Sequence, residues 1–397
     1  MRVLDGIRVL ELGRVPPAEL PGMMLADLGA DVLKIETPRR GEPLSQQEQR
    51  SAVYAHTNRN KRSIELDLKT LKGQEIFQML ASKADVLIEG FRPGVMARLG
   101  ASYDKIKQLN PNIIYCSLSG FGQTGPYSDR PAHDLNFLAL SGALSLIGEV
   151  GCKPSIPLNM VADYGGASMH GALAIAFALF ARERTGKGRY LDIAYLDSTI
   201  ALLAATPNLR GVFTRDESPQ RGEGVFSGTY PYYAIYQTRD NRLLTVACSE
   251  PVFWENFCQA IGRPDLSRHA RRLEHYQRTA NLEETHARKE VEAMIRMRDL
   301  DDWDCYFASL DVCVGKVNNI KEMLVDPQVI HRGMITEATH ERFGKVQQFE
   351  SALPLSSAHT HVYKPSPIPG EHSSQILSEL GFSKEEIQSL KDQKVIM

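Results

Sequence analysis

Residues 163–188 read DYGGASMHGALAIAFALFARERTGKG, and the rest of the chain is arranged around this stretch. It predicts a helix with both ends marked. Asp163 stands at an N-cap position, and Gly186 follows a basic last turn, as glycines at helix C-termini do. Between them, residues 167–181 are apolar on nearly every side, with two polar interruptions. A helix of this composition is expected to be buried.

The segment before this helix gives Asp163 two interpretations. A strand-like run, residues 156–162, leads directly to it, and the amides and dipole of a helix start suit an anion or a developing oxyanion. Asp163 is therefore either a plain N-cap or a functional carboxylate. His133 is likewise either a loop histidine satisfied by its neighbours or a functional partner. The two residues cannot share a helix turn, so only the fold can bring them together.

Composition narrows the class of protein. The 397 residues indicate two domains, or three, with a large core, and 46 basic against 48 acidic residues argue against nucleic acid as the main partner. Six cysteines without a C-x-x-C pair indicate neither a disulfide framework nor a zinc site. We expect a soluble, cytoplasmic protein without a membrane partner, because no signal peptide is evident and the apolar stretch 171–181 is shorter than the roughly 20 residues that span a bilayer.

Strand-like and helix-like segments alternate through the first half of the chain, which predicts an α/β fold with a parallel sheet. Strand 7–12, helix 19–28 and strand 32–36 form the first unit, and strands 86–89 and 113–118 continue the rhythm. No G-x-G-x-x-G motif follows the first strand, which lowers the expectation of a nicotinamide or flavin enzyme.

Basic residues stand in the loops and strand edges beside these strands, among them Arg39, Lys61, Arg62 and Arg92. Loops at strand ends are where open α/β sheets bind ligands. The basic residues are either a solvated rim or a pocket for a phosphorylated ligand, since arginine and lysine hold phosphates by charge-assisted hydrogen bonds.

Changes in composition predict the domain boundaries. Residues 1–205 are expected to form the first part of a large domain, and residues 206–229, rich in Gly, Pro, Arg and Glu, a linker. Residues 230–325 open with a β-hairpin pattern over 232–248 and are expected to form a small α+β domain. Residues 326–397 are expected to return as a linker and the C-terminal part of the large domain.

Four separated motifs resemble, in the same order, those of the family III CoA-transferase superfamily (CaiB/BaiF-like), and are most similar to those of its racemases: GIRVLEL at 6–12, NKRSIELD at 60–67, LSGFGQTGP at 118–126 and RTGKG at 184–188. The resemblance covers essentially the whole chain. It implies a Rossmann-like large domain built from both chain ends plus a small α+β domain. It also implies an obligate, interlocked homodimer, with each active site between the large domain of one subunit and the small domain of the other.

The resemblance implies one of two chemistries. In the transferases an aspartate attacks the acyl thioester and carries the acyl group as a mixed anhydride, and Asp163 matches it. In the racemases the same position is an acid/base, joined by a histidine that His133 matches and by a glutamate of a Glu-Pro pair that Glu250 matches. We therefore expect an acyl-CoA racemase or epimerase that inverts the α-carbon of a 2-methyl-branched acyl-CoA. The alternative is a CoA-transferase that moves CoA from a donor acyl-CoA to a carboxylic acid.

Inversion beside a thioester needs two acid/base groups that face each other across the substrate, and His133 and Asp163 suit this task. We expect Glu250 to orient His133, and amides near Asp163 to stabilise the enolate oxygen. By resemblance, Arg39, Lys61, Arg62 and Arg92 contact the CoA. We expect no metal, and no cofactor beyond CoA as part of the substrate.

Two other functions stay open. The segment 221–228, RGEGVFSG, is loosely similar to the glycine-rich loop that shields the anhydride in the transferases, which favours the transferase alternative. A CoA-binding scaffold without chemistry is a third possibility. The joint presence of Asp163, His133 and Glu250 argues against that third function.

Overall fold

Parallel strands form the main sheet of the protein. The computed structural model describes residues 2–13, 15–38, 46, 55–206, 209–215, 218–340, 344–353 and 364–397. Within these ranges the main sheet has six strands: β1 (Arg8–Leu12), β2 (Asp31–Glu36), β3 (Arg62–Glu65), β4 (Val86–Glu89), β5 (Ile114–Ser119) and β6 (Arg189–Ala194). Their order is β3-β2-β1-β4-β5-β6, which is the order of Rossmann folds. The predicted parallel α/β sheet is therefore confirmed.

Two smaller antiparallel sheets complete the strands in the described segments. One contains β7 (Tyr233–Gln237), β8 (Leu243–Ala247) and β9 (Val314–Lys316), and the other contains β10 (Ile335–His340) and β11 (Gly344–Phe349). The predicted hairpin at 232–248 is confirmed as the β7–β8 pair.

The helices connect these strands and cover the sheets. In chain order, those of the described residues are α1 (Pro16–Asp27), α2 (Ala55–Asn58), α3 (Leu71–Ala81), α4 (Val95–Arg98), α5 (Tyr103–Leu109), α6 (Asp134–Leu140), α7 (Ala143–Leu146), a π-helix (Met160–Ser168), α8 (Met169–Thr185), α9 (Tyr195–Leu203), α10 (Arg210–Arg215), α11 (Pro251–Ala260), 3₁₀ turns at Pro264–His269 and Leu273–Gln277, α12 (Leu282–Ile295), α13 (Leu300–Phe307), α14 (Ile320–Leu324), α15 (Pro327–His331), α16 (Ser373–Glu379) and α17 (Lys384–Asp392).

The central strands are apolar because helices cover both faces of the sheet. All four residues of β4 and all six of β5 are buried. This is the burial pattern of parallel strands, whose side chains pack against helices on both faces of the sheet. Helix α8 packs on β5, β6 and α1, while α16 and α17 complete the core beside β3.

The strand order places a crevice at one edge of the sheet. The chain returns from β3 at one end to β4 beside β1, so the loops that follow β1 and β4 run away from each other. A crevice opens at the carboxyl ends of the strands at such a switch point. The loops that start at Gly13 and Gly90 therefore border a natural ligand site.

The long helical segment ends as predicted but starts elsewhere. Gly186 has φ 63° and its N–H donates to the carbonyl of Arg182 at 2.7 Å, which confirms the C-terminal glycine. The segment begins at Met160, with Asn159 as N-cap, so the N-cap position predicted for Asp163 is wrong. The run 156–162 is not a strand, because Leu158 has a left-handed φ of 56° that interrupts any extended pairing.

The expectation that α8 is buried on every side is also wrong for the single chain. Its small residues Gly171 and Ala172 are buried, in keeping with a close approach to β5. The opposite face exposes Leu173, Phe177 and Phe180 by 51%, 63% and 60%.

The helical segment Met160–Thr185 has 26 residues, so the length argument made from residues 171–181 does not hold. Within the described part of the chain, this is the one helical segment that is both long enough and apolar enough to cross a membrane, judged by length and composition alone. A core helix of a soluble protein passes the same test, and 44% of its most apolar window is buried.

The chain divides into two compact units. Unit 1 comprises Met1–Phe137, Leu158–Thr199 and Asp326–Met397, and unit 2 comprises Leu138–Pro157 and Ile200–Val325. Unit 1 contains the six-stranded sheet. Unit 2 contains β7–β9 with α11, α12 and α13, around a core rich in aromatic residues that includes Tyr236, Trp254 and Phe257.

Candidate active site

Asp163 lies in the first turn of the π-helix, whose winding is wider than that of an α-helix. Gly165 and Gly166 follow it, and a Cβ on either would lie only 3.1 Å from the carbonyl oxygen five residues earlier. Glycine at these positions removes that crowding and suits this wider turn. Helical π segments are frequent at functional sites, where they displace one side chain from the regular spiral.

The carboxylate of Asp134 holds the start of this helix. Its Oδ2 accepts hydrogen bonds from the backbone N–H groups of Ala162 and Asp163, both at 2.9 Å. Asp134 is buried, and it satisfies two amides that a helix start leaves without an intrahelical partner. The amide of Asp163 is thus already used. It is not available to an enolate oxygen, and the expectation that amides near Asp163 stabilise that oxygen stays a prediction.

His133 immediately precedes Asp134, the first residue of α6. Its backbone N–H donates to Oδ1 of Asn136 at 3.1 Å, and the N–H of Asn136 donates back to the carbonyl of His133 at 2.8 Å. This reciprocal pair fixes the backbone of His133. His133 itself remains exposed.

His133 and Asp163 line one cavity of about 470 Å³ at the carboxyl ends of the central strands. The fold thus brings together two residues that are thirty positions apart in sequence. The carboxyl end of β5 and the segments that follow β1, β4 and β5 supply other parts of the wall, with these members: Val15, Pro16, Pro17, Gly90, Phe91, Arg92, Pro93, Ser119 and Gly120.

The environment of Asp163 changes its acidity. Burial raises its pKa to about 6, and the nearby charge of Asp134 acts in the same direction. Asn159, whose Nδ2 donates to Asp163 Oδ2 at 3.2 Å, and the charge of His133 oppose the rise. A carboxyl group with this pKa is mostly ionised at pH 7 and accepts a proton more readily than an ordinary aspartate. It is suited to acid/base work.

A second cavity, of about 410 Å³, lies at the carboxyl ends of β2 and β3. Phe91 lines both cavities, so the turn after β4 forms a shared wall. Lys69 lines the second cavity and is exposed. Among the residues that the structure describes, no group of three or more His, Cys, Asp or Glu side chains is placed to hold a metal.

The sequence of the chain matches a known protein family. The family model for CoA-transferase family III matches residues 4–373. The chain belongs to CoA-transferase family III.

Relatives in this family carry both chemistries. The α-methylacyl-CoA racemase of Homo sapiens is 33% identical, over 99% of this chain and 97% of its own length. The succinate–glutarate CoA-transferase of Agrobacterium fabrum is 34% identical, over 95% of each. The two identities are nearly equal, so overall similarity does not decide between a racemase and a transferase.

A solved structure shares the fold. The crystal structure of a CaiB/BaiF family protein from Brucella suis matches with a TM-score of 0.79 at 29% identity, and the match covers 96% of this chain and 99% of that one. The mixed α/β fold, with a parallel six-stranded sheet and smaller antiparallel sheets, is therefore that of family III structures.

The four basic residues expected to contact CoA differ in their settings. Arg92 lines the cavity of His133 and Asp163. Arg39 lies outside the described residues. Arg62 lies at the amino end of β3, away from both cavities, and its guanidinium pairs with Asp31 at 2.7 Å and Glu379 at 2.8 Å. Its charge is already balanced, which indicates a structural role.

The prediction that Lys61 contacts CoA is wrong. Its side chain is 0% exposed, and its Nζ donates to both carboxylate oxygens of Glu11, at 2.7 and 2.8 Å. It also donates to the carbonyl of Glu19 at 2.9 Å and to Asn58 at 3.1 Å. A buried ammonium with its donors already engaged cannot reach a phosphate. Lys61 ties β3 to β1 and α1 inside unit 1.

We expect Lys61→Met to destabilise the family III fold by roughly 3–5 kcal/mol, because it leaves the Glu11 carboxyl buried without its partner. Urea denaturation would measure this loss. Lys72→Met is the matched control, since Lys72 forms an exposed pair with Glu75 at 3.0 Å whose loss costs at most about 1 kcal/mol. Equal stability of the two variants would contradict a structural role for Lys61.

Glu250 belongs to unit 2. It precedes Pro251 as the N-cap of α11, with φ −79° and ψ 136°, and it is exposed. Its Oε2 accepts a hydrogen bond from Ser249 Oγ at 2.9 Å. The expected orienting contact between Glu250 and His133 stays a prediction.

Sequence reasoning did not find the role of Asp134. Its signal was present, because an acidic residue that directly follows His133 and starts a helix is a good candidate to accept backbone N–H groups. What sequence could not show is that these amides belong to the π-helix, 28 and 29 residues further along.

Proposed function

We propose that this family III protein is an acyl-CoA racemase or epimerase that inverts the α-carbon of a 2-methyl-branched acyl-CoA. The observation that carries the proposal is that His133 and Asp163 line one cavity. CoA transfer through an aspartyl anhydride needs the aspartate alone. A two-base inversion asks for both groups, one on each face of the α-carbon.

The proposed reaction moves one proton off the α-carbon and returns one to it. In one direction the Asp163 carboxylate removes the α-proton and becomes a carboxylic acid, and the C–H electron pair forms an enolate with its charge on the thioester oxygen. A protonated His133 then donates a proton to the opposite face. In the other direction the roles are exchanged. The raised pKa of Asp163 lowers the energy of its protonated form and so favours this exchange.

The two adjoining cavities support a binding mode for CoA. We propose that the thioester lies beside His133 and Asp163 and that the nucleotide extends past Phe91 into the second cavity. Arg92 and Lys69 are then the phosphate contacts, because both are exposed cations on the cavity walls.

We also propose an interlocked homodimer, located in the cytoplasm. Leu173, Phe177 and Phe180 form an apolar face on α8 that a single chain leaves in water, and burial of such faces drives association. Light scattering should then give a mass about twice the 44.3 kDa of the chain. A monomeric mass would contradict the dimer.

The transferase alternative has one specific observation in its favour. Two arginines, Arg92 and Arg130, line the cavity, whereas Asp163 is the one acidic residue among its described lining. A carboxylic acid acceptor would suit this excess of positive charge. The Asp163 carboxylate would then attack the thioester carbonyl and form an aspartyl anhydride, with the CoA thiolate as leaving group. The acceptor carboxylate would displace the donor acid from this anhydride, and the CoA thiolate would attack the acceptor carbonyl of the new anhydride, which forms the product thioester and returns the Asp163 carboxylate.

Deuterium exchange separates the two functions. We expect the protein, given one enantiomer of a 2-methylacyl-CoA in D₂O without an acceptor acid, to exchange the α-proton and to produce the opposite enantiomer, both followed by NMR. A transferase leaves that proton in place. If it persists while added carboxylic acids yield new acyl-CoA species, the racemase proposal is wrong and the transferase alternative holds.

A further inference from the structure

The last residue of β4, Glu89, is a buried carboxylate that the proposed mechanism does not use. It is 3% exposed, and no Lys, Arg or His side chain in the described part of the chain forms an ion pair with it. Burial raises its pKa to about 7, and the nearby charge of Asp192 acts in the same direction. A buried carboxyl group without a cation costs stability, and such groups concentrate at functional sites.

Glu89 holds the turn that follows it. Its Oε2 accepts a hydrogen bond from the backbone N–H of Phe91 at 2.8 Å. A carboxylate inside the fold is a stronger acceptor than a neutral group, and water competes little for it there. The position of Glu89 is itself fixed, because β4 pairs with both β1 and β5. The hydrogen bond therefore ties the turn to the centre of the sheet.

Two glycines fix the ends of the same turn. A Cβ on Gly90 would lie 2.5 Å from a side-chain carbon of α1, so the backbone packs directly on that helix. Gly94 has a left-handed φ of 77°, and the N–H of Val95 donates to the carbonyl of Arg92 at 3.2 Å. The hydrogen bond of Glu89 lies between these two ends, where the turn faces the cavities.

The turn presents side chains to both cavities. Phe91 lines both of them, and Arg92 lines the cavity that also contains the two proposed reacting groups. Glu89 is not among the described lining residues of either cavity. It can therefore act on a ligand only through the backbone that carries Phe91 and Arg92.

We propose that Glu89 is a positioning residue for CoA: its hydrogen bond to the N–H of Phe91 fixes the turn and so prepares the wall shared by the two cavities. This inference rests on the proposed function, because it takes CoA to extend from the first cavity past Phe91 into the second. It holds for a racemase and for a transferase, since both bind an acyl-CoA. A turn that is fixed before binding spares the ligand the cost of ordering it.

Replacing Glu89 with leucine removes the acceptor and keeps a side chain of similar size in the buried site. We expect the Kd of free CoA, measured by titration calorimetry, to rise about tenfold, the lower end for a hydrogen bond to a charged group. KM for the acyl-CoA should rise by a similar factor while kcat is unchanged, because the reacting groups are untouched. Glu89→Ala is the second variant if the leucine variant does not fold, and circular dichroism shows which variants are folded.

Glu89→Gln is the conservative variant. Its amide oxygen accepts the N–H of Phe91 without a charge, so it should bind CoA nearly as tightly as wild type. Glu386→Leu is the matched control, because the Glu386 carboxylate also accepts a backbone N–H, that of Ser383 at 2.7 Å, but lies on α17 and lines neither cavity. This control should keep the wild-type Kd.

The proposal is overturned if the leucine or alanine variant binds CoA as tightly as wild type, if Glu89→Gln is as weak as Glu89→Leu, or if kcat falls at an unchanged KM. Arg92→Ala separates these failures from a failure of the binding mode. Wild-type CoA affinity in Arg92→Ala would contradict the binding mode of the proposed function. Where Arg92→Ala does weaken CoA, Glu89→Leu should add little to the loss, because both changes act on one contact, and fully additive losses would overturn the proposal.

Discussion

Replacing His133 with alanine is expected to lower formation of the opposite enantiomer by roughly 10²–10⁴-fold, the usual contribution of a positioned acid or base. The reason is that one face of the α-carbon loses its only proposed proton carrier. NMR in D₂O, with one enantiomer of a 2-methylacyl-CoA, measures the exchange rate and the formation of the opposite enantiomer separately. Because Asp163 is retained, slow exchange with retention at one face is the expected residual activity.

The binding of CoA should survive in this variant, since the phosphate contacts proposed for Arg92 and Lys69 are untouched. His286→Ala is a suitable control, because His286 lies on α12 and does not line the cavity. If His133→Ala racemised its substrate at the wild-type rate, the two-base mechanism would be refuted. Transfer of CoA to an added acid by the same variant would then identify Asp163 as the one reacting group.

The second large effect is expected for Asp163→Asn, which should abolish racemisation and CoA transfer together, by roughly 10²–10⁴-fold or more. An amide neither accepts the α-proton nor forms an anhydride. Wild-type kcat/KM should fall as the pH drops below about 6, where the Asp163 carboxyl, with its pKa raised by burial, becomes protonated. Survival of either activity in the variant would show that Asp163 is an N-terminal helix residue without a chemical role.

The same substitution has an effect on stability whose size depends on pH. The pKa of Asp163 is higher in the folded protein than in the unfolded chain, so below the unfolded value both states are protonated and nothing is lost. As the pH rises through about 6, the folded carboxyl ionises in a half-buried site and this stability is lost. Asp163→Asn should therefore have a higher Tm than wild type at pH 8 and the same Tm at pH 4. The exposed Asp197→Asn serves as control, and an equal Tm shift at both pH values would contradict the argument.

The sheet could be predicted from sequence because its signals are local. Strand-like runs with helices between them predicted β1, β2, β4 and β5 to within about two residues, and Gly186 marked the end of α8. Each of these signals depends on neighbours within one or two turns of the chain. The edge of the sheet that carries the cavity could also be predicted, because parallel sheets bind ligands at the carboxyl ends of their strands.

The errors arose where a residue depends on distant partners. The sequence around Lys61 shows a charged cluster, but its burial is set by Glu11, fifty residues away, and by α1. The start of the helix near Asp163 was misplaced because the left-handed Leu158 and the capping by Asp134 have no signature within that segment. The exposure of Leu173, Phe177 and Phe180 could not be predicted, because the composition of α8 does not determine which of its faces the single chain buries.

Asp134 connects the backbones of the two residues proposed to react, His133 and Asp163. His133 is attached to Asp134 by one peptide bond, and Asp134 accepts a hydrogen bond from the backbone N–H of Asp163, so the backbones of the two residues are connected through one carboxylate. In the proposed racemase, the separation between the His133 and Asp163 backbones would therefore depend on this one carboxylate. Changes in the loops after β1 and β4 could then fit other acyl groups into the cavity without a change in the separation between His133 and Asp163.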